Sequence, residues 1–227
     1  MSDQYPRKDL LLEAWELAKP EVTKSFLILD VRGKPAYDAG HIPGSVVTSA
    51  AEWAKEFRDG KDVEGWSKRL GNLGITTETK IIVYDDAATK DASRAWWILK
   101  FFGVKDVRLL NGMWTGWKTG KYPISQESNI PKPLVFQAQI ERNRLATEQD
   151  VLQSLKNNNS QIIDARSAGE HSGKIKLAQR GGCIAGSTNL DWVNLVDAQT
   201  QRFKSPTDLK KLFDENGIDL DKPLTPH

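Results

Sequence analysis

Residues 26–32 read FLILDVR: a short apolar run that ends in Asp30, then one residue, then Arg32. Residues 161–166, QIIDAR, repeat the figure with Asp164 and Arg166. Downstream of the first copy lies GHIPGS, Gly40 to Ser45, and downstream of the second lies GCIAGS, Gly182 to Ser187. A Gly-Ile pair follows each: Gly74 comes 30 residues after Gly44, and Gly217 comes 31 after Gly186. The interval from Asp to the glycine motif is 10 residues in copy one and 18 in copy two, so copy two carries an insertion around 173–180. One order of motifs at one spacing implies internal duplication. Two homologous domains are expected, at 1–125 and 144–227, joined by a linker at 126–143. The linker begins where SQESNIPKP, residues 125–133, sets Ser, Asn and two prolines across the apolar periodicity.

Within copy one the pattern is α/β. Residues 26–29, 81–84 and 107–110 are short continuous apolar runs, the signature of strands covered on both faces. Residues 9–19 place Leu10, Leu11, Ala14, Leu17 and Ala18 on one helical stripe. Residues 91–102 form a second stripe from Ala92 to Phe102, with Gly103 suited to the C-terminal cap. An Asn111-Gly112 turn and a short Trp-rich helix close the copy. Strands alternating with helices predict a parallel sheet with right-handed crossovers. The fold class expected is two such domains, each a parallel five-stranded sheet flanked by helices, the second incomplete. Ligands of parallel sheets bind beyond the carboxyl ends of the strands, where Asp30, Asp85 and Asp164 fall.

Composition excludes several classes. The 227 residues carry 32 Lys+Arg and 30 Asp+Glu, a net charge of +2, which gives no electrostatic case for nucleic acid or a membrane surface. Cys183 is the only cysteine, and the three histidines are His41, His171 and His227, so neither a disulfide framework nor a zinc cluster is expected. No apolar run nears the roughly 18 residues of a membrane span. The N-terminal stretch is mixed in charge, without a signal-peptide core, and a reducing cytoplasm is the expected compartment.

The motifs resemble those of the tandem-domain rhodaneses, or sulfurtransferases. DVR, GHIPGS, VYD followed by SRAWWILKFFG, and VRLLNGMWTGW are similar to the N-terminal domain of that family. DARSAGEHSG and RGGCIAGSTNLDW are similar to its C-terminal domain. The resemblance implies sulfur transfer through a cysteine persulfide, with no cofactor and no metal. The partners it implies are a small anionic donor such as thiosulfate and a thiol or cyanide acceptor. It places the cysteine after the central strand of the second domain, in a loop of amides at a helix N-terminus, and an Asp at the matching place of the first. Asp85 fits that Asp, so copy one is expected to be inactive.

Aligning the copies, GITTETKIIVY at 74–84 matches GIDLDKPLTPH at 217–227, each 11 residues. The residue matching Asp85 is therefore number 228. The chain reads as a sulfurtransferase truncated before its nucleophile, inactive as it stands, and short of roughly 40 residues by the length of 85–124. The strand residues Ile162 and Ile163, with Leu212, are then expected to be poorly covered. Two other classes remain open, a non-catalytic binding module and a phosphatase-like enzyme, and residues from 228 onward discriminate among the three.

Arg166, Glu170 and Arg180 are the candidate substrate-binding residues; Asp30, Arg32 and Asp164 are expected to support the strand ends. In mercaptopyruvate-type relatives the place of Glu170 usually holds an Arg that grips the substrate carboxylate, so an acid here favours thiosulfate. Cys183 takes the place of His41, a turn position, and reads as an inert bystander. The tryptophans read as packing residues, not as a stacking platform.

Overall fold

The computed structural model describes residues 5–157 and 159–227. The first four residues of the expected first domain, and Asn158 in the KNNNS stretch, lie outside the described residues. The chain forms two compact units: Arg7–Arg144 with Ala198–Arg202, and Leu145–Asp197 with Phe203–His227 and residues 5–6.

The larger unit runs β1 (Leu11–Glu13), α1 (Ala14–Leu17), α2 (Pro20–Thr23), β2 (Leu27–Asp30), α3 (Lys34–Ala39), β3 (Val46–Val47), α4 (Ala50–Phe57) and α5 (Val63–Asn72). It continues through β4 (Lys80–Tyr84), α6 (Lys90–Phe101), β5 (Asp106–Asn111) and α7 (Met113–Thr119). The strands form one sheet in the order β1-β5-β4-β2-β3, every pairing parallel. Ile81, Ile82, Val83 and Tyr84 of the central strand are each 0 % exposed, which is why that strand is apolar without alternation. Trp53 and Trp66 are buried, and Phe57 meets Trp66, Trp97, Phe101 and Phe102 edge-on.

The helix expected over 9–19 does not form as one piece. Leu11–Glu13 instead pairs in parallel with Leu109–Asn111 at the sheet edge, and a helix begins only at Ala14 behind a Glu13/Glu16 capping box. The three leucines satisfy a helical stripe and an edge strand alike. The open edge of β5, almost a hundred residues away, takes the backbone hydrogen bonds that a helix would have kept.

The smaller unit contains α8 (Glu148–Asn157), β6 (Gln161–Asp164), α9 (Ala168–His171), β7 (Thr188–Asn189), α10 (Pro206–Glu215) and β8 (Leu224–Pro226). Its parallel sheet has three strands in the order β7-β6-β8, the arrangement that β3-β2-β4 has in the larger unit. Registers correspond as well: Leu29 pairs with Val46 and Val83, and Ile163 pairs with Thr188 and Pro226. Tyr84 and His227 therefore occupy the same place. Pro226 is accommodated because β8 is an edge here and its neighbour His227 donates the bond to the Ile163 carbonyl, at 2.9 Å.

Poor cover of β6 is not what the structure has. Ile162 and Ile163 are 3 % and 7 % exposed, and Ile163 packs with Leu190, Ile218, Leu195, Leu212 and Phe213. Two flanking strands and the apolar face of α10 suffice to close this small core.

Residues 134–141 lie along the larger unit. The Leu134 amide bonds the Gly71 carbonyl, Gln139 and Glu141 bond Phe102 and Phe101, and Phe136 is buried. A Cβ on Gly71 would stand 2.4 Å from the Leu134 carbonyl oxygen, so that position demands glycine. A fragment of residues 7–144 should accordingly melt as one cooperative unit. A fragment of 7–125, which loses a buried phenylalanine worth about 2–3 kcal/mol, should melt roughly 5–10 °C lower. Equal melting temperatures would show that 126–144 contributes nothing to the fold.

Candidate functional site

Asp85 directly follows the central strand and is 1 % exposed. Its carboxylate accepts from four backbone amides: Ala87 at 3.1 Å and Thr89 at 3.2 Å on one oxygen, Asp91 at 2.9 Å and Ala92 at 2.8 Å on the other. The loop turns through Ala88 and Thr89 at φ of 53° and 78°, left-handed conformations that aim successive N–H groups inward. The last two donors belong to the first turn of α6, whose N-terminus favours an anion. Burial pushes the Asp85 carboxyl above the usual range, against the pull of the Ala92, Thr89 and Ala87 amides. The loop is thus an amide nest filled by a side chain of the protein itself.

Asp30, at the end of the neighbouring strand β2, is fully buried. Arg32 grips it through Nε at 2.9 Å and Nη2 at 2.6 Å, while the Arg32 amide donates to it at 3.1 Å. Nη2 also donates to the Gly40 carbonyl at 2.8 Å. The Tyr84 hydroxyl donates to the second carboxylate oxygen, and burial followed by the Asp30 charge pushes that phenol far up. The guanidinium lies 4.5 Å from the centre of the Trp114 ring. Only 3 % of the Arg32 side chain meets solvent.

The smaller unit repeats the arginine's hold on the aspartate and on the glycine carbonyl. Arg166 donates to Asp164 through Nε at 2.9 Å, Nη2 at 2.7 Å and its amide at 3.0 Å, and Nη2 also donates to the Gly182 carbonyl at 2.9 Å. The inserted residues are thereby looped out, since each arginine meets the glycine that the motif alignment pairs with it. Where Tyr84 bonds Asp30, His227 Nε2 lies 3.7 Å from Asp164, and His171 Nδ1 lies 3.0 Å away. Burial works the other way, yet Arg166 and His171 hold the Asp164 carboxyl well below the ordinary range. The Arg166 side chain is 36 % exposed, in contrast to Arg32.

Glu170 is occupied locally. Its carboxylate accepts from the Ser167 amide at 3.2 Å and hydroxyl at 2.7 Å, and the Ser167 oxygen accepts from the Glu170 amide, which makes a capping box for α9. Arg180 is exposed in the irregular stretch after α9, and Cys183 is exposed beyond it. The Asp164 and Glu170 charges both act on Arg166. Arg166, Asp164, His171 and Glu170 therefore gather at one strand end. The sequence offered a signal for the Tyr84–His227 correspondence in the equal 11-residue intervals, and none for His171. Among the described residues no group of three His, Cys, Asp or Glu side chains is placed to hold a metal ion.

A parallel α/β sheet with an amide nest after its central strand and Asp-x-Arg pairs at its strand ends defines the class of rhodanese-fold proteins. Residues 13–119 match the family model of the rhodanese-like domain, and this part of the chain belongs to the rhodanese family. It is 32% identical over 166 residues to bovine (Bos taurus) thiosulfate sulfurtransferase, covering 70% of this chain and 56% of that protein. It is 34% identical over 159 residues to mouse (Mus musculus) 3-mercaptopyruvate sulfurtransferase, covering 68% and 53% respectively. The chain thus spans about half the length of the curated relatives it matches. The crystal structure of SseA from Escherichia coli, described with the rhodanese fold of 3-mercaptopyruvate sulfotransferases, superposes with a TM-score of 0.82 at 27% identity. That match covers 95% of this chain and 87% of SseA. An anaerobic ergothioneine biosynthesis enzyme from Chlorobium limicola shares the fold alone, with a TM-score of 0.85 at 21% identity over 100% of this chain and 62% of its own.

Because Asp164 is held low when folded, its ionised form stabilises the smaller unit fully above its ordinary value of 3.8, and that contribution disappears as the pH falls below it. Thermal melts of that unit should fall steeply between about pH 4 and pH 2. Asp164→Asn should start lower at neutral pH and flatten the dependence. An unchanged acid profile in the variant would show that the pair with Arg166 contributes nothing.

Proposed function

We propose that this chain is the rhodanese-family part of a sulfurtransferase that moves the sulfane sulfur of thiosulfate to cyanide or a thiol. In that reaction a cysteine thiolate attacks the outer sulfur of thiosulfate, the S–S bond breaks, and sulfite leaves with its electron pair. The acceptor then attacks the outer sulfur of the persulfide and the thiolate is restored. The observation that carries the reading is the amide nest after β4: it is built to hold an anion at a strand end, and in the larger unit Asp85 fills it. The matching register of Tyr84 and His227 supports an equivalent of Asp85 at position 228, where the nucleophile belongs on this reading. The larger unit is then a structural copy, in which Asp30 and Arg32 are sealed against each other.

On the same reading Arg166 and Arg180 face the donor anion. Arg166 keeps solvent exposure that Arg32 lacks, and Arg180 is exposed with no ion pair among the described residues. Asp164 orients Arg166. Glu170 disfavours a carboxylate-bearing donor such as 3-mercaptopyruvate, and Cys183 is a bystander, since no amide nest surrounds it. The donor and acceptor are small molecules of a reducing cytoplasm, with neither nucleic acid nor membrane involved; among the described residues no helix is long and apolar enough to cross one.

Thiocyanate release from thiosulfate and cyanide tests the reading. Residues 1–227 should give none above background, and the chain extended by the roughly 40 residues that copy one implies, beginning with cysteine, should be active. In the active chain, Arg166→Ala should lower turnover about tenfold or more, and Cys183→Ser by less than about twofold. Clear activity of residues 1–227, abolished by Cys183→Ser, would move the chemistry to Cys183 and overturn the assignment.

Substrate choice gives a separate check. In the extended chain, Glu170→Arg should raise turnover of 3-mercaptopyruvate relative to thiosulfate. A ratio that does not move would place Glu170 outside the site, with its capping box as its whole role.

A further inference from the structure

A second cleft opens in the larger unit at the other end of the sheet. It lies where Lys105 and Asp106 lead into β5, and its volume is about 310 Å³, more than a bare tetrahedral oxyanion needs. Val83 pairs with Leu109, so Asp85 stands level with Asn111, five residues further along the strand and roughly 16 Å away. The two sites are separate.

The walls carry five cations and two carboxylates. Arg7 holds Asp9 through Nε and Nη2 at 2.8 and 2.6 Å, and Arg108 holds Asp106 the same way at 2.8 and 2.9 Å. Lys105 reaches Glu78 at 2.5 Å. These three are neutralised within the protein. Lys100 and Arg144 form no ion pair among the described residues: the Lys100 ammonium donates to the Lys105 carbonyl, at 2.6 Å, and Arg144 Nε is buried with no hydrogen-bond partner. Burial and the Arg144 charge push the Lys100 ammonium down, against the opposing pull of the Asp106, Asp9 and Glu141 carboxylates.

The mounting is rigid. The Arg144 amide donates to the Glu141 carbonyl at 3.0 Å, and its carbonyl accepts from Trp97 Nε1 at 3.0 Å. Trp96 is fixed by the bond from its Nε1 to the Val107 carbonyl at 2.8 Å, and the Arg144 guanidinium lies 5.9 Å from its ring centre. Two cations without an ion pair, beside a fixed aromatic wall, suit a dianion attached to a planar organic body. A forked guanidinium with an ammonium beside it matches phosphate oxygens, and the indole offers a face to the remainder.

We propose that this cleft binds a small phosphate ester, with Arg144 and Lys100 on the phosphate and the Trp96 ring against the organic part. The anion would relieve the repulsion between the two cations. Calorimetric titration of residues 1–227 at constant ionic strength tests this, using a nucleoside monophosphate, inorganic phosphate and thiosulfate as separate probes. The nucleoside monophosphate should bind most tightly. Arg144→Gln should weaken it at least about tenfold and Arg144→Lys less, with circular dichroism showing both variants folded. Lys100→Gln serves as an independent second variant with the same expected loss, and Arg180→Gln should leave the affinity for the nucleoside monophosphate as it is. Binding lost in Arg180→Gln but kept in Arg144→Gln would place the anion at the other site and overturn the proposal. Equal affinity for all three probes would overturn it too, as would no binding.

Discussion

A carboxylate buried at the end of a parallel strand is costly unless it is paired and its lone pairs are filled. Asp30 and Asp164 are both fully buried, and both meet that requirement with an arginine two residues on. The spacing is dictated by the strand: residue i+2 lies on the same side as residue i, so the guanidinium can fold back on the carboxylate while its own amide donates as well. The spare Nη2 bond then fastens a distant glycine carbonyl, Gly40 in one unit and Gly182 in the other. One ion pair therefore ties the strand end to the loop that returns toward the next strand, across 10 residues or 18 alike.

Asp85 solves the same difficulty differently. It has no cation, only four amides and the first turn of α6. A nest of that kind holds any compact anion that the backbone presents at its centre, which is why an aspartate can close it permanently in the larger unit. The left-handed turn at Ala88 and Thr89 persists because the buried carboxylate holds the loop in place.

The two units differ most where they are most alike. Tyr84 and Trp114 enclose Arg32, and the pair with Asp30 serves the fold. His171 and His227 stand near Asp164, with nothing aromatic over Arg166 in the described contacts, and more than a third of that side chain reaches solvent. The same bonds thus leave one arginine spent and the other available.

Much of this was legible in the residues. Apolar runs ending in Asp-x-Arg, the equal intervals to each Gly-Ile pair, and the stripe from Ala92 to Phe102 are local patterns, and local patterns report strand ends, duplication and helix faces directly. The alternatives at Leu10–Leu12 were not resolvable that way, because a strand at a sheet edge is decided by the partner that needs it, and here the partner is Leu109–Asn111. Nor does sequence reveal that Ile162 and Ile163 are covered, that His171 turns onto Asp164, or that Arg166 is open while Arg32 is sealed. Those are properties of what arrives from elsewhere in the chain. Periodicity determines which face a residue takes; only the tertiary structure decides what meets that face, and hence which of two similar ion pairs reaches solvent.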